Sequence, residues 1–100
     1  MNVNLDDVTV ADNKAEQRYE ARVDGQLALI AYERAAAHIV FTHTETPARL
    51  EGHGIAGKMA RVALEDAREQ HLSVIPRCPF VADYIRRHPE YQDLVAPEYT

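Results

Sequence analysis

The chain has 100 residues, of which 46% are hydrophobic and 27% charged, which is typical of one soluble globular domain spanning residues 1–100. A formal net charge of −5 argues against nucleic acid as a partner, because binding to phosphates needs concentrated Lys and Arg. The longest apolar run, residues 27–32, is too short to span a membrane, and the N-terminus lacks a signal-peptide layout, so we expect no membrane partner. A single cysteine offers no disulfide framework, which favours a reducing cytoplasm.

The chain begins with a polar stretch. Residues 1–16 show no hydrophobic period, so the sequence predicts an irregular start, with residues 1–9 and 96–100 frayed. Residues 18–23 then alternate apolar and polar side chains, which predicts a half-buried strand.

Two further strands are expected next. Asp24 and Gly25 favour a two-residue hairpin, because both turn positions need a positive φ. Residues 26–34 have apolar side chains at both odd- and even-numbered positions, which predicts a strand covered on both faces. Residues 37–45 are rich in β-branched side chains and predict a third strand.

The second half of the chain predicts a helix at residues 54–70, a short buried strand at 72–76 and a helix at 79–88. Pro79 suits the first position of the last helix, and residues 89–99 give no clear period. The first three strands should be antiparallel, and the strand–helix–strand crossover should be parallel. The predicted fold class is therefore α+β.

A cluster of glycines separates the third strand from the first helix. Gly52, Gly54 and Gly57 would allow the backbone to approach an anion closely at a helix N-terminus, where the dipole attracts phosphate, and Lys58 would add charge. The Walker A pattern fails, because Met59 stands where a hydroxyl is needed. The spacing of the dinucleotide fingerprint fits, but the upstream hairpin and the short chain disfavour that fold.

The segment "RLEGHG" resembles the Arg/Gln-x-x-Gly-x-Gly/Ala signature of the GNAT acetyltransferases. In that family the loop holds the pyrophosphate of acetyl-coenzyme A through backbone amides. The wider sequence over residues 10–95 resembles the minimal single-domain GNAT proteins that carry a cysteine after the penultimate strand. The resemblance implies a minimal GNAT fold. It also implies these cofactor-binding residues: Arg49, Gly52, His53, Gly54, Ile55, Ala56, Gly57 and Lys58.

Two residues of the last helix are catalytic candidates. Cys78, the only cysteine, precedes Pro79 and is expected at the helix N-cap, where the dipole favours a thiolate. It would carry the acetyl group, line the thioester channel or be an inert buried residue. Tyr84 resembles the GNAT tyrosine that protonates the departing coenzyme A thiolate; a core aromatic is the alternative.

His43 and Glu45 share one face at the end of the third strand, and either side chain suits the base that an amine acceptor needs. The alternative is that both are ordinary surface residues. The five histidines show no metal-ligand spacing, and we predict no metal.

The predicted function is transfer of an acetyl group from acetyl-coenzyme A to a small amine, a lysine or an N-terminal amine, by direct attack or through Cys78. We expect a monomer or weak homodimer. The alternatives are a non-catalytic module that binds coenzyme A or protein partners and a structural domain whose glycine loop binds nothing.

Overall fold

A five-stranded sheet covered by two helices makes up most of the protein. The computed structural model describes residues 3–99; residues 1, 2 and 100, predicted to be frayed, lie outside the described residues. The strands are β1 (Val10–Asn13), β2 (Arg18–Val23), β3 (Gln26–Arg34), β4 (His38–Glu45) and β5 (Ser73–Pro76). The helices are α1 (Ile55–Glu69) and α2 (Pro79–Arg87).

The strands lie side by side in chain order. The pairs from β1 to β4 are antiparallel, whereas β4 and β5 are parallel and are connected through α1. Asp24 and Gly25 join β2 to β3 with φ values of 50° and 76°, as the hairpin prediction requires. The predicted α+β architecture, a mostly antiparallel sheet with one parallel crossover and a C-terminal helix, is confirmed.

The start of the chain is more ordered than its sequence predicts. The expected irregular structure is wrong for Val10–Asn13, which pair with β2. The Tyr32 hydroxyl donates to Asp12 over 2.6 Å, and the Asn13 amide donates to Glu20 over 3.1 Å. Backbone pairing with β2, together with side-chain hydrogen bonds to β2 and β3, therefore holds a segment that has no hydrophobic period of its own.

Strand β3 is covered on one face, so the prediction of two covered faces is wrong. Ala28 and Ile30 are fully buried against the helices, whereas Leu27, Leu29 and Ala31 on the opposite face are half-buried. Their neighbours on that open face are the polar side chains of β2 and the end of β4. The strand has apolar residues on both faces, which suggested two covered faces, but no helix covers the open face.

The register between β3 and β4 shifts at a β-bulge. Ala31 pairs with His43 but Tyr32 pairs with Phe41, so Thr42 has no partner across the ladder. Because cross-strand partners share a face, Phe41 and Thr44 both turn towards the helices, and His43 lies on the open face. The bulge thus brings a hydroxyl side chain to the buried side of the sheet.

Both helices and the buried strand face form one hydrophobic cluster. Helix α1 contributes side chains at helical spacing, among them Ile55, Met59, Ala63 and Ala67, each at most 1% exposed. Burial of each large aliphatic side chain contributes about 1.5–3 kcal/mol. The C-terminal segment, which shows no period, packs beside β5: the Ala96 amide donates to the Val74 carbonyl over 2.9 Å. Within residues 3–99, no helix is long and apolar enough to cross a bilayer.

Candidate acetyl-transfer site

A cavity of about 670 Å³ opens at the carboxyl end of β4, beside the start of α1. Its size falls in the range of small-molecule sites, roughly 300–1,000 Å³. The lining combines strand ends, the glycine loop and one residue of α2. The lining residues are Leu27, Thr44, Glu45, Thr46, Pro47, Leu50, Glu51, Gly52, Gly54, Ile55, Ala56, Gly57 and Phe80.

The cavity lies where β4 and β5 separate. Their parallel ladder ends at the Phe41–Pro76 pair. The chain after β5 turns into α2, and the Cys78 amide donates to the Phe41 carbonyl of β4 over 2.9 Å. Beyond that link, the continuing end of β4 and the first turn of α2 leave a cleft, which Phe80 borders with 38% of its surface exposed.

The glycine loop supplies backbone donors to this cleft. Gly54 is the N-cap of α1 with φ +80°, and no side chain caps the helix. No acidic residue stands in the first turn. The first amides of a helix have no partner within it and carry the positive end of the dipole. The amides that follow Gly54 are therefore placed to bind an anion.

Two glycines of the loop are required for different reasons. Gly52 has φ +81°, and a Cβ atom there would meet nothing within 4 Å, so only its backbone conformation favours glycine. Gly54 combines φ +80° with a close approach, because a Cβ atom would lie 3.0 Å from Leu5 Cδ1. The loop is therefore shaped by backbone conformation and by the N-terminal segment packed on it.

The structure brings most, but not all, of the predicted cofactor-binding residues to the cavity wall. Gly52, Gly54, Ile55, Ala56 and Gly57 line the cavity. Arg49 and His53 are not among the described residues of the wall. Arg49 is exposed in a 3-10 turn, and His53 is half-buried in the loop.

Lys58 points to the N-terminal segment. Its ammonium group donates to the Leu5 carbonyl and, over 2.6 Å, to the Val8 carbonyl. Leu5 is the first residue of the 3-10 turn Leu5–Asp7, and Val8 follows that turn directly. Lys58 also lines a smaller cavity of about 270 Å³ on the far side of Gly54. In this structure Lys58 anchors the start of the chain.

Cys78 occupies the N-cap of α2, as its position before Pro79 predicts. The residue is 2% exposed, and its sulfur lies 2.9 Å from Thr44 Oγ1. Thr44 lines the cavity, whereas Cys78 is not among the described residues that line it. The thiol is therefore one hydrogen bond behind the cavity wall.

Tyr84 lies on the other side of the first turn of α1. A Cβ atom at Gly57 would be 3.8 Å from its ring, and the ring stacks on His88 with centroids 3.9 Å apart. The side chain lines the smaller cavity with Lys58 and Arg61. Burial raises the pKa of Tyr84, so the phenol is protonated at neutral pH and has the form that a proton donor needs.

His43 and Glu45 form an exposed pair on the open face of the sheet. Nε2 of His43 lies 3.1 Å from Oε2 of Glu45, and the side chains are 60% and 61% exposed. Glu45 lines the cavity, whereas His43 is not among the described wall residues. The predicted pair exists, and only its carboxylate borders the cleft.

Sequence reasoning missed seven of the wall residues; they are Thr44, Glu51, Phe80, Leu27, Thr46, Pro47 and Leu50. Glu51 lies inside the glycine signature at a variable position, and Phe80 follows the helix-starting proline. Thr44 reaches the buried side only because of the bulge, which no pattern in the sequence indicates. Within residues 3–99, no three His, Cys, Asp or Glu side chains are grouped as metal ligands.

Comparison with known proteins agrees with this geometry. The family model described as GCN5-related N-acetyl-transferase matches residues 18–94. Protein NATD1 from Mus musculus is 27% identical over 95 residues, covering 90% of this chain and 86% of its own, and Protein NATD1 from Homo sapiens is 27% identical with 90% and 84% covered.

A solved structure shows the same fold. The NMR solution structure of a GCN5-like protein from Staphylococcus aureus is 26% identical, with a TM-score of 0.71 over 88% of this chain and 87% of that chain. The family match spans the sheet from β2 onwards, the glycine loop and both helices. The chain belongs to the GCN5-related N-acetyltransferase (GNAT) family.

Proposed function

We propose that the protein is an N-acetyltransferase that binds acetyl-coenzyme A in the cavity at the end of β4 and transfers the acetyl group to an amine. The observation that carries this proposal is the start of α1: its N-terminus has no side-chain cap and opens into a cavity of about 670 Å³. Family membership supplies the class of reaction.

The pyrophosphate binds at the amides of residues 52–57. Its negative charge interacts favourably with the helix dipole, and the positive φ values of Gly52 and Gly54 allow close backbone approach. The apolar wall residues Leu50, Ile55 and Phe80 suit the uncharged arm of coenzyme A. The residues at this site therefore fit the cosubstrate in both charge and polarity.

The acceptor is a cationic amine. The charged residues among the described wall are Glu45 and Glu51, both acidic. Their carboxylates attract an ammonium group, and Glu45, paired with His43, is positioned to take its proton. Once deprotonated, the amine attacks the acetyl carbonyl directly or attacks an acetyl group carried on Cys78.

Tyr84 is the proposed acid. Its protonated phenol lies across Gly57 from the main cavity, and it gives a proton to the coenzyme A thiolate as that group leaves. We expect a Tyr84→Phe variant to keep its affinity for coenzyme A and to lose turnover.

The first test is a thermal unfolding experiment with coenzyme A. A ligand at about 100 times its Kd stabilises a protein by roughly 2.7 kcal/mol. Steady release of coenzyme A from acetyl-coenzyme A is then measured with polyamines, lysine peptides and peptides with a free N-terminus. No thermal shift at millimolar ligand would contradict the proposal.

A second function, coenzyme A binding without catalysis, is favoured by one observation. Cys78 and Tyr84 are both outside the described wall of the cavity that the glycine loop opens into. A thermal shift with coenzyme A but no turnover with any acceptor would support this alternative. Cys78→Ala separates the two catalytic routes, because full activity in that variant excludes an acetyl-cysteine.

A further inference from the structure

Thr44 is the polar side chain that separates the Cys78 sulfur from the cavity. Its Oγ1 atom lies 2.9 Å from the sulfur, and Thr44 lines the cavity while Cys78 is 2% exposed. The bulge opposite Ala31 and Tyr32 turns Thr44 to this side of the sheet. Without the bulge, regular alternation would put His43 on the side that Phe41 faces.

The backbone fixes the other partner of this contact. The Cys78 amide donates to the Phe41 carbonyl over 2.9 Å, and the Ala82 amide donates to the Cys78 carbonyl over 3.0 Å. Phe41 is fully buried, so the sulfur is attached to a rigid part of the core. Two elements, β4 and α2, thus place a hydroxyl at one wall of the cleft and a thiol directly behind it.

We propose that Thr44 is a positioning residue for the Cys78 sulfur in the acetyl transfer, an inference that rests on the proposed function. A thiolate has no proton to give, so in the reactive form the Thr44 hydroxyl donates to the sulfur. This hydrogen bond stabilises the thiolate and holds it towards the cavity.

Acetyl transfer through Cys78 needs no reactant other than acetyl-coenzyme A and the amine. The Cys78 sulfur attacks the carbonyl carbon of the thioester and forms a new S–C bond. The S–C bond to coenzyme A breaks, and Tyr84 gives its proton to the departing sulfur. Tyr84 then regains a proton from the solvent, to which Cys78 released its own proton when the thiolate formed. The amine nitrogen then attacks the acetyl carbon, Cys78 leaves as the thiolate that Thr44 stabilises, and the ammonium proton passes to the base.

The test compares Thr44→Val, which keeps the shape but removes the hydroxyl, with Thr44→Ser, which keeps the hydroxyl. Thr46→Val is the matched control, because Thr46 also lines the cavity and lies directly after the last residue of β4. The first readout is the rate of alkylation of Cys78 by iodoacetamide in the folded protein without acetyl-coenzyme A. Cys78 is the only cysteine, so the product is unambiguous.

We expect Thr44→Val to slow alkylation by about tenfold or more, the size of a lost hydrogen bond to a charged group. Thr44→Ser should lie within about twofold of the wild type, and Thr46→Val should be unchanged. The second readout is turnover: kcat should fall in Thr44→Val while KM for acetyl-coenzyme A stays the same. If Thr44→Val fails to fold, Thr44→Ala takes its place.

Wild-type alkylation and turnover in Thr44→Val would overturn the inference, as would a Ser variant as slow as the Val variant. Full activity in Cys78→Ala would overturn it too, because no sulfur would then need positioning. Each of these results leaves the proposed function intact. A wild-type protein that neither binds nor uses acetyl-coenzyme A is a failure of the proposed function instead.

Discussion

The two ends of helix α1 lie against cavities of opposite character. At its start, the cavity of about 670 Å³ is bordered by helix amides without a side-chain cap. At its end, the lining of a cavity of about 280 Å³ includes polar side chains that are hydrogen-bonded, among them Tyr32 to Asp12 and Arg34 to Gln70. There the Tyr19 hydroxyl donates to Asp66 over 3.0 Å and the Tyr32 hydroxyl donates to Asp12 over 2.6 Å.

The start of α1 is therefore suited to ligand binding, whereas the end of α1 contributes to the stability of the fold. At the C-terminal end of α1, which we call the paired end, hydrogen bonds join β2 to α1 and β1 to β3, and these bonds stabilise the fold. The N-terminal end of α1, which we call the open end, keeps backbone donors and a cleft whose apolar walls no other part of the described chain fills. Substitutions at the open end should change coenzyme A binding, and substitutions at the paired end should change stability alone.

The largest expected effect comes from Gly54→Ala at the open end. A Cβ atom there is strained at φ +80° and meets Leu5 at 3.0 Å, so we expect a loss of about 2–3 kcal/mol of unfolding free energy. Coenzyme A affinity should also fall. Gly52→Ala is the matched variant, because φ +81° comes with open space, and should cost about 1 kcal/mol. Urea unfolding measures both; equal losses would contradict this account of Gly54.

Lys58→Met should have the next largest effect. Removing the ammonium group leaves the Val8 carbonyl without this donor and the Leu5 carbonyl with the Val8 amide alone, which should cost about 1–2 kcal/mol of unfolding free energy. Proteolysis of the first residues should become faster. Coenzyme A affinity and its salt dependence are measured in the same variant. A large loss of affinity with a weaker salt dependence would show that Lys58 contacts a phosphate, as the sequence predicts.

Tyr19→Phe tests the paired end. The variant removes the hydrogen bond to Asp66 and should cost about 1 kcal/mol of unfolding free energy. Because the open end is unchanged, coenzyme A affinity should equal that of the wild type. A clear loss of affinity in this variant would show that the two ends are coupled.

Most strands and the start of α1 can be predicted from the sequence, but strand β1 and one contact at the open end cannot. Hydrophobic alternation and the Asp24–Gly25 turn predicted β2 and β3, and the glycine spacing predicted the start of α1. Strand β1 was missed because its backbone pairing with β2 and side-chain hydrogen bonds, rather than a hydrophobic pattern of its own, hold it. The Thr44–Cys78 contact was missed because a bulge changes which residues face the helices.

The smallest expected effect is that of alkaline pH on the free energy of unfolding. Burial, with a hydrogen bond to Glu65, raises the pKa of Tyr91 to about 12. Burial also raises the pKa of Tyr19 and of Tyr32, and the carboxylates of Asp66 and Asp12 add to this. The folded protein therefore keeps these protons at pH values where the unfolded chain has lost them.

Stability is thus fully present below about pH 10 and declines as the pH rises towards 12. Urea unfolding between about pH 8 and pH 11 measures the decline. It should be shallower in Tyr91→Phe than in the wild type. An identical slope in the two proteins would contradict the assignment to Tyr91.

The most direct test of the central claim is an NMR titration of the backbone amides with coenzyme A. We expect the largest shift changes at residues 52–57 and at the first turn of α2, and unchanged amide shifts around Tyr19 and Tyr32. Shift changes concentrated at the paired end, or none at millimolar ligand, would contradict the assignment of the open end as the binding site.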